Sequence, residues 1–118
     1  MRTPRINSLV LLLFASIAWA GSALSTTEAA RHIGERATVC GNIAGEHTAM
    51  NSRGTPTFIN LDQPYPNQVF TALAWGSDRP TVGNLPRSGH ICVTGTISEY
   101  RGTPEIVLHS ARDWYVPK

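Results

Sequence analysis

Residues 92–108 read CVTGTISEYRGTPEIVL, and this stretch decides the fold. Val, Thr and Ile make its first part a β-type run, and Pro-Glu-Ile-Val-Leu begins a second one. Gly95 sits inside the first run, where glycine marks a bulge or a sharp bend at a barrel corner. Between the runs stands Arg101-Gly102-Thr103-Pro104. Gly102 supplies the positive φ of a hairpin turn, and Pro104 opens a strand where no N–H is required.

The same grammar occurs earlier in the chain. Residues 36–45, RATVCGNIAG, place Gly41 in a second V-x-G-x-I pattern, and Arg53-Gly54-Thr55-Pro56 then leads into TFINLD. Turn chemistry accounts for the glycines and prolines of this quasi-repeat. It leaves two readings of Arg53 and Arg101 open: turn residues alone, or turn residues that also touch a ligand.

Working outward, five β-type runs emerge at residues 36–45, 56–62, 68–76, 89–100 and 104–109, with a short resumption at 113–117. The connection SDRPTVGNLPRS, residues 77–88, holds two prolines and a glycine, which argues against a regular helix. STTEAARHIG, residues 25–34, reads as one short helix, capped by Ser25 with Glu28 and ended by Gly34. The expected fold is all-β, a small closed five-stranded barrel with a short N-terminal helix, and closure removes the exposed strand edges.

The first twenty residues read differently. Arg2 and Arg5 precede an apolar run from Leu9 to Ala18, and Ala18-Trp19-Ala20 fits a small-residue cleavage site before Gly21. That order is a secretory signal peptide, and the apolar run is short for a membrane span. The expected organisation is a signal peptide over 1–20, a leader with the short helix over 21–34, and a barrel domain over 35–118. The mature protein is expected to be soluble, periplasmic or secreted, with no membrane attachment after cleavage.

Charge narrows the partners. The chain has ten Lys+Arg and eight Asp+Glu; without Arg2 and Arg5 the two counts are equal. No surplus of positive charge remains for strong non-specific attraction to nucleic acid. Seven of the remaining eight bases are Arg, a residue suited to bidentate phosphate contacts and stacking. Cys40 and Cys92 are the only cysteines. An even count in an oxidising compartment favours a disulfide, the alternative being two buried thiols. His32, His47, His90 and His109 show no metal-ligand spacing, and no cofactor is expected.

Taken together, TVCGNI with PTFINLD, VFTALAWGSDR and CVTGTISEYRGTPEIVL resemble the OB-fold nucleic-acid-binding domain of the anticodon-binding type, and among its members small exported bacterial proteins. The V-x-G-x-I-S-x-Y-x-G block is the most specific part and F-x-N-L-D the next. The resemblance spans about residues 33–116. It implies a Greek-key barrel whose ligand lies across the second and third strands, flanked by the loops joining strands one to two and four to five. Both RGTP copies fall in those loops, which implies a guanidinium at each border of one groove.

Candidate ligand-binding residues follow from that frame. Alternation in TFINL puts Ile59 and Leu61 on one face and Phe58 and Asn60 on the other. With Ile59 and Leu61 inside, Phe58 and Asn60 face the ligand. Trp75 facing outward, and Tyr100 beside Arg101, complete the set of rings, ordinary packing being the alternative for each. His47, Asn51 and Ser52 lie in the first loop as candidate hydrogen-bond donors. Tyr65, between two prolines, is read as a loop-packing residue, and Trp114 with Tyr115 as closing the barrel bottom against the N-terminal helix.

Catalysis has little support. Glu46, Asp62, Asp78, Glu99, Glu105 and Asp113 are scattered singly, without the clustered carboxylates that metal-assisted phosphodiester hydrolysis needs. Neither a G-x-S-x-G elbow nor a phosphate-cradling Gly loop is present. The expectation is a monomeric, non-enzymatic binding module for single-stranded nucleic acid or a nucleotide-like ligand. The alternative is a domain that uses the same face for an envelope protein or an oligosaccharide.

Overall fold

Two long strands each have to serve two sheets. In the computed structural model, which describes residues 22–118, these are β2 (Arg36–Thr48) and β5 (His90–Tyr100). They run antiparallel from the pair Arg36/Thr96 to Asn42/His90, and then part. The far half of β2 pairs with β3 (Thr57–Leu61), and the far half of β5 pairs with β6 (Thr103–Val107). Strand β4 (Phe70–Ala74) lies antiparallel to β3 and parallel to β6, which closes the ring. The result is the five-stranded OB barrel, in the order β2-β3-β4-β6-β5 and back to β2. The signal-peptide expectation for residues 1–20 lies outside the described residues.

The bends that closure requires fall near the predicted glycines. Gly95 lies just before β5 changes partner, and a Cβ there would sit 2.7 Å from Cγ2 of Ile106. Only a residue without a side chain lets β6 approach so closely. In β2 the irregularity lies not at Gly41 but between Ile43 and Gly45, where the register to β3 shifts. Gly41 instead makes room for its neighbours, since a Cβ there would sit 2.8 Å from Cγ2 of Thr26 and 3.2 Å from Asp62 Oδ1. Period-two alternation then fills the interior with Val39, Ile59, Leu61, Phe70, Ala72, Ile91, Val93, Ile97, Ile106 and Leu108, all fully buried.

Two short strands widen the β2–β5 ribbon. Strand β1 (Leu24–Ser25) adds parallel to β2, and β7 (Trp114–Tyr115) adds antiparallel to β5. Cys40 and Cys92 stand directly opposite each other in this ribbon, with Cα atoms 4.0 Å apart, and are joined by a disulfide. The bridge is a direct cross-strand link on the outer face, between Ser25 and Tyr115 in register. It does not cross the barrel.

One local expectation is corrected and two are refined. The helix expected over residues 25–34 is a single 3-10 turn, Glu28–Arg31. Ser25 and Glu28 do bond reciprocally, Ser25 N to Glu28 Oε1 at 2.8 Å and Glu28 N to Ser25 Oγ at 3.2 Å. However, pairing of Leu24–Ser25 to β2 and a hydrogen bond from the Thr26 hydroxyl to Asp62 take up the residues a longer helix would need. Ala29 enters the core from this turn. The 77–88 connection contains one helical turn, α1 (Arg79–Val82), because Pro80 is tolerated in a first turn and Gly83, at φ 87°, ends it. Trp114 packs against the core cluster that contains Ala29 and Val82, and its Nε1 donates to the Val82 carbonyl at 2.9 Å, which also ties it to α1.

The disulfide closes a loop of 52 residues, which by the chain-entropy argument corresponds to about 4 kcal/mol of stabilisation. Non-reducing mass spectrometry of the folded protein should find it two hydrogens lighter than the thiol form. Urea unfolding with and without reductant should differ by about that amount.

Candidate functional site

The same alternation that fills the barrel dictates what faces out. On β3, Ile59 and Leu61 point inward, so Phe58 and Asn60 point outward, as expected from the sequence. On β4 the inner set is Phe70, Ala72 and Ala74, which leaves Thr71 and Leu73 outside. On β6, buried Ile106 leaves Glu105 and Val107 outside. In register these make one transverse row, Asn60–Thr71–Glu105–Ser98, across four strands. His47 lies opposite Phe58 in the neighbouring row.

This face is concave. It holds a cavity of about 720 Å³ with Asn60, Thr71 and Glu105 in its floor and the rings of Phe58, Tyr65 and Tyr100 in its walls. Such a volume lies in the range of small-molecule sites. Thr71 Oγ1 donates to Asn60 Oδ1 at 3.4 Å. Gln68 also lines the cavity, and its Oε1 is buried without a hydrogen-bond partner. Burial pushes the Glu105 carboxyl above the ordinary carboxylate range. The floor thus offers acceptors and an amide, while the walls are aromatic. Rings with a few convergent polar groups are the usual composition of a binding cleft.

The two RGTP copies have different fates. In the second, Arg101 (φ 51°) and Gly102 (φ 85°) both adopt the left-handed conformation, the two-residue turn that matches strand twist. Arg101 lines the cavity, and its guanidinium lies 5.2 Å from the centroid of the Tyr100 ring. In the first copy the left-handed residues are Gly54 (φ 79°) and Thr55 (φ 38°). There the Gly54 carbonyl accepts from Gly76 N at 2.8 Å, and the Trp75 ring lies over Gly54 so closely that a Cβ would meet it at 2.9 Å. Trp75 therefore packs on the first turn, although it remains 40 % exposed.

Of the six candidate ligand residues, Phe58, Asn60, Tyr100 and Arg101 come together around the cavity. Arg53 and Trp75 are not among its lining residues, and the guanidinium that lines it is that of Arg101. Tyr65, expected to pack in its loop, is 76 % exposed and lines the cavity. Glu105, Thr71 and Gln68 are site residues that the sequence does not single out, although the inward setting of Ile106 and Leu108 implies an outward Glu105. Asp62 is a structural clamp: it accepts from the Thr26 hydroxyl and from Asn42 N, the latter at 2.9 Å. Among the described residues no three His, Cys, Asp or Glu side chains come together as a metal site.

No protein-family model matches the chain, and no curated protein matches it. Solved structures do. An aspartyl-tRNA synthetase from Leishmania major Friedlin superposes with a TM-score of 0.55 at 10% identity, over 90% of this chain and 22% of the synthetase. This chain thus corresponds to about a fifth of that enzyme. Two OBody proteins, both solved bound to hen egg-white lysozyme, superpose with TM-scores of 0.58 and 0.50 at 12% and 14% identity. They are covered over 98% and 91% of their length, by 87% and 77% of this chain. At these identities the likeness is one of fold.

Two measurements test the site's local chemistry. A left-handed Arg is strained relative to Asn, and Asn-Gly is the favoured pair for this turn. Arg101→Asn should therefore raise stability by about 0.5–1 kcal/mol in urea titration, even if ligand affinity falls. The raised Glu105 carboxyl means that the folded state disfavours the charged form, so its cost appears as pH rises through the carboxylate range and stays at neutral pH. Glu105→Gln should accordingly stabilise the protein at pH 7, and the gain should vanish in acid.

Proposed function

We propose that this chain is an exported, non-enzymatic OB-fold module that holds a short single strand of nucleic acid, or a nucleotide-like ligand, in the Phe58–Tyr65–Tyr100 groove. The observation that carries the reading is the groove itself: three rings, Arg101 at the lip, and a floor of hydrogen-bonding side chains on one concave face. Bases stack on Phe58 and Tyr100, each such contact supplying about 1–3 kcal/mol. Arg101 meets a phosphate, and Asn60, Thr71 and Glu105 meet base edges. The synthetase likeness supports the same assignment at the level of fold. Export is supported by the basic–apolar–small order of residues 1–20 and by the disulfide, which persists in oxidising compartments.

One observation favours a second reading. Tyr and Arg are the residue types that dominate protein–protein hot spots, and Tyr65, Tyr100 and Arg101 stand exposed together. Two proteins of this fold were solved bound to a folded protein. An envelope protein is then the partner, and the same rings anchor it.

Fluorescence anisotropy with labelled oligonucleotides separates the two. Binding that weakens with salt, and falls by about 1–3 kcal/mol in each of Phe58→Ala and Tyr100→Ala, is the expected result. Saturation by an envelope extract with no oligonucleotide binding at high micromolar concentration would assign the face to a protein partner instead.

A further inference from the structure

The outer face of β5 does not end at the groove. Thr94, Thr96 and Ser98 alternate outward along it, and with Val107 they line a second depression that adjoins the first. The two meet at the Ser98–Glu105 cross-strand pair, since Glu105 lines one and Ser98 the other. Beside this row stand Arg36, on β2 in register with Thr96, and Arg112, in the 3-10 turn Ala111–Asp113.

Both guanidiniums are free of carboxylate partners. The ion pairs among the described residues are His32–Glu35 and His109–Asp78. Asp113 is the one acid in the depression, and its Oδ2 accepts from the backbone N–H groups of His109 and Ser110, at 2.7 and 3.2 Å. Two exposed Arg side chains flanking a row of hydroxyls are complementary to a phosphodiester chain, because guanidinium and hydroxyl donors both suit phosphate oxygens. No ring of Phe, Tyr or Trp lines this depression, so it offers no such stacking surface for bases.

Resting on the reading above, we infer that the ligand path continues from the aromatic groove along the hydroxyl-lined face of β5 to Arg36 and Arg112, which hold the phosphates of a strand whose bases stack at Phe58 and Tyr100. From Thr94 to Tyr100 the strand extends about 20 Å. That length takes a strand of several nucleotides, in line with the ~4–16 nucleotides an OB fold commonly covers. The path also places guanidiniums where phosphates would run, in a sequence whose acidic and basic counts are equal once Arg2 and Arg5 are set aside: Arg101 at the groove, and Arg36 with Arg112 beside β5.

The test compares thymidine 5′-monophosphate with an eight-nucleotide oligothymidylate, on the mature full chain and on Arg36→Gln/Arg112→Gln. Both positions are exposed, and equal thermal unfolding of the two proteins checks the fold. The wild type should bind the oligomer more tightly than the mononucleotide. The double variant should keep mononucleotide affinity and lose at least several-fold in oligomer affinity at low salt. Its slope of log affinity against log salt should be shallower by about 1.4, two contacts at about 0.7 each. An unchanged oligomer affinity and slope in the double variant would overturn the extended path while leaving the aromatic groove standing. Equal wild-type affinity for both probes would do the same. Failure of the wild type to bind either probe would remove the nucleotide reading and the path together.

Discussion

Everything in this molecule depends on how β2 and β5 cross. Each is too long for a single partner, so each pairs with the other over half its length and then turns into a second ladder. That turn is possible only where side chains are missing or register slips. Gly95 and the irregularity between Ile43 and Gly45 supply it. The Cys40–Cys92 bridge sits in the shared half, and β1 and β7 extend the same ribbon on either side. Cross-linking this segment limits the unfolded chain most where the barrel has to close, which matters for a core this small.

The crossing also makes the site. Once Ile59, Leu61, Phe70, Ala72, Ile97 and Ile106 are committed to the interior, their neighbours in sequence are committed to the outside. Phe58, Asn60, Thr71, Glu105 and Ser98 thus reach one face from four strands, without any local motif uniting them. The floor of the groove is the complement of the core, and its chemistry follows from parity.

Parity also explains which parts are legible in the sequence. The barrel and its strand count rest on alternation and on glycine and proline positions, which are local and robust, whereas alternation only sets Phe58 with Asn60 on one face and the family resemblance chooses that face as the outer one. The direct opposition of Cys40 and Cys92 is not legible, because register between strands so far apart in sequence depends on how far each coils. Tyr65 escapes for a similar reason. Two flanking prolines fix a loop's stiffness but say nothing of the direction in which it leans. The N-terminal turn is shorter than its capping residues suggest, because those residues do not reveal the competing pull of β2 on Leu24–Ser25.

The repeated tetrapeptide is the sharpest case. One copy is a minimal hairpin, in which Tyr100 and Thr103 are paired and only two residues turn. Its Arg lies at the mouth of the groove, above Tyr100. The other copy ends a longer loop, whose Gly54 is clasped by Gly76 and roofed by Trp75. Identical residues therefore share a need for left-handed backbone but not its position: Arg101 and Gly102 in one copy, Gly54 and Thr55 in the other. Asn or Gly would meet the second turn's conformational demand with less strain than Arg. Arg101, at φ 51°, shares this left-handed backbone with Thr55 and Asp62, and of the three it alone carries a guanidinium, set 5.2 Å from the Tyr100 ring at the groove.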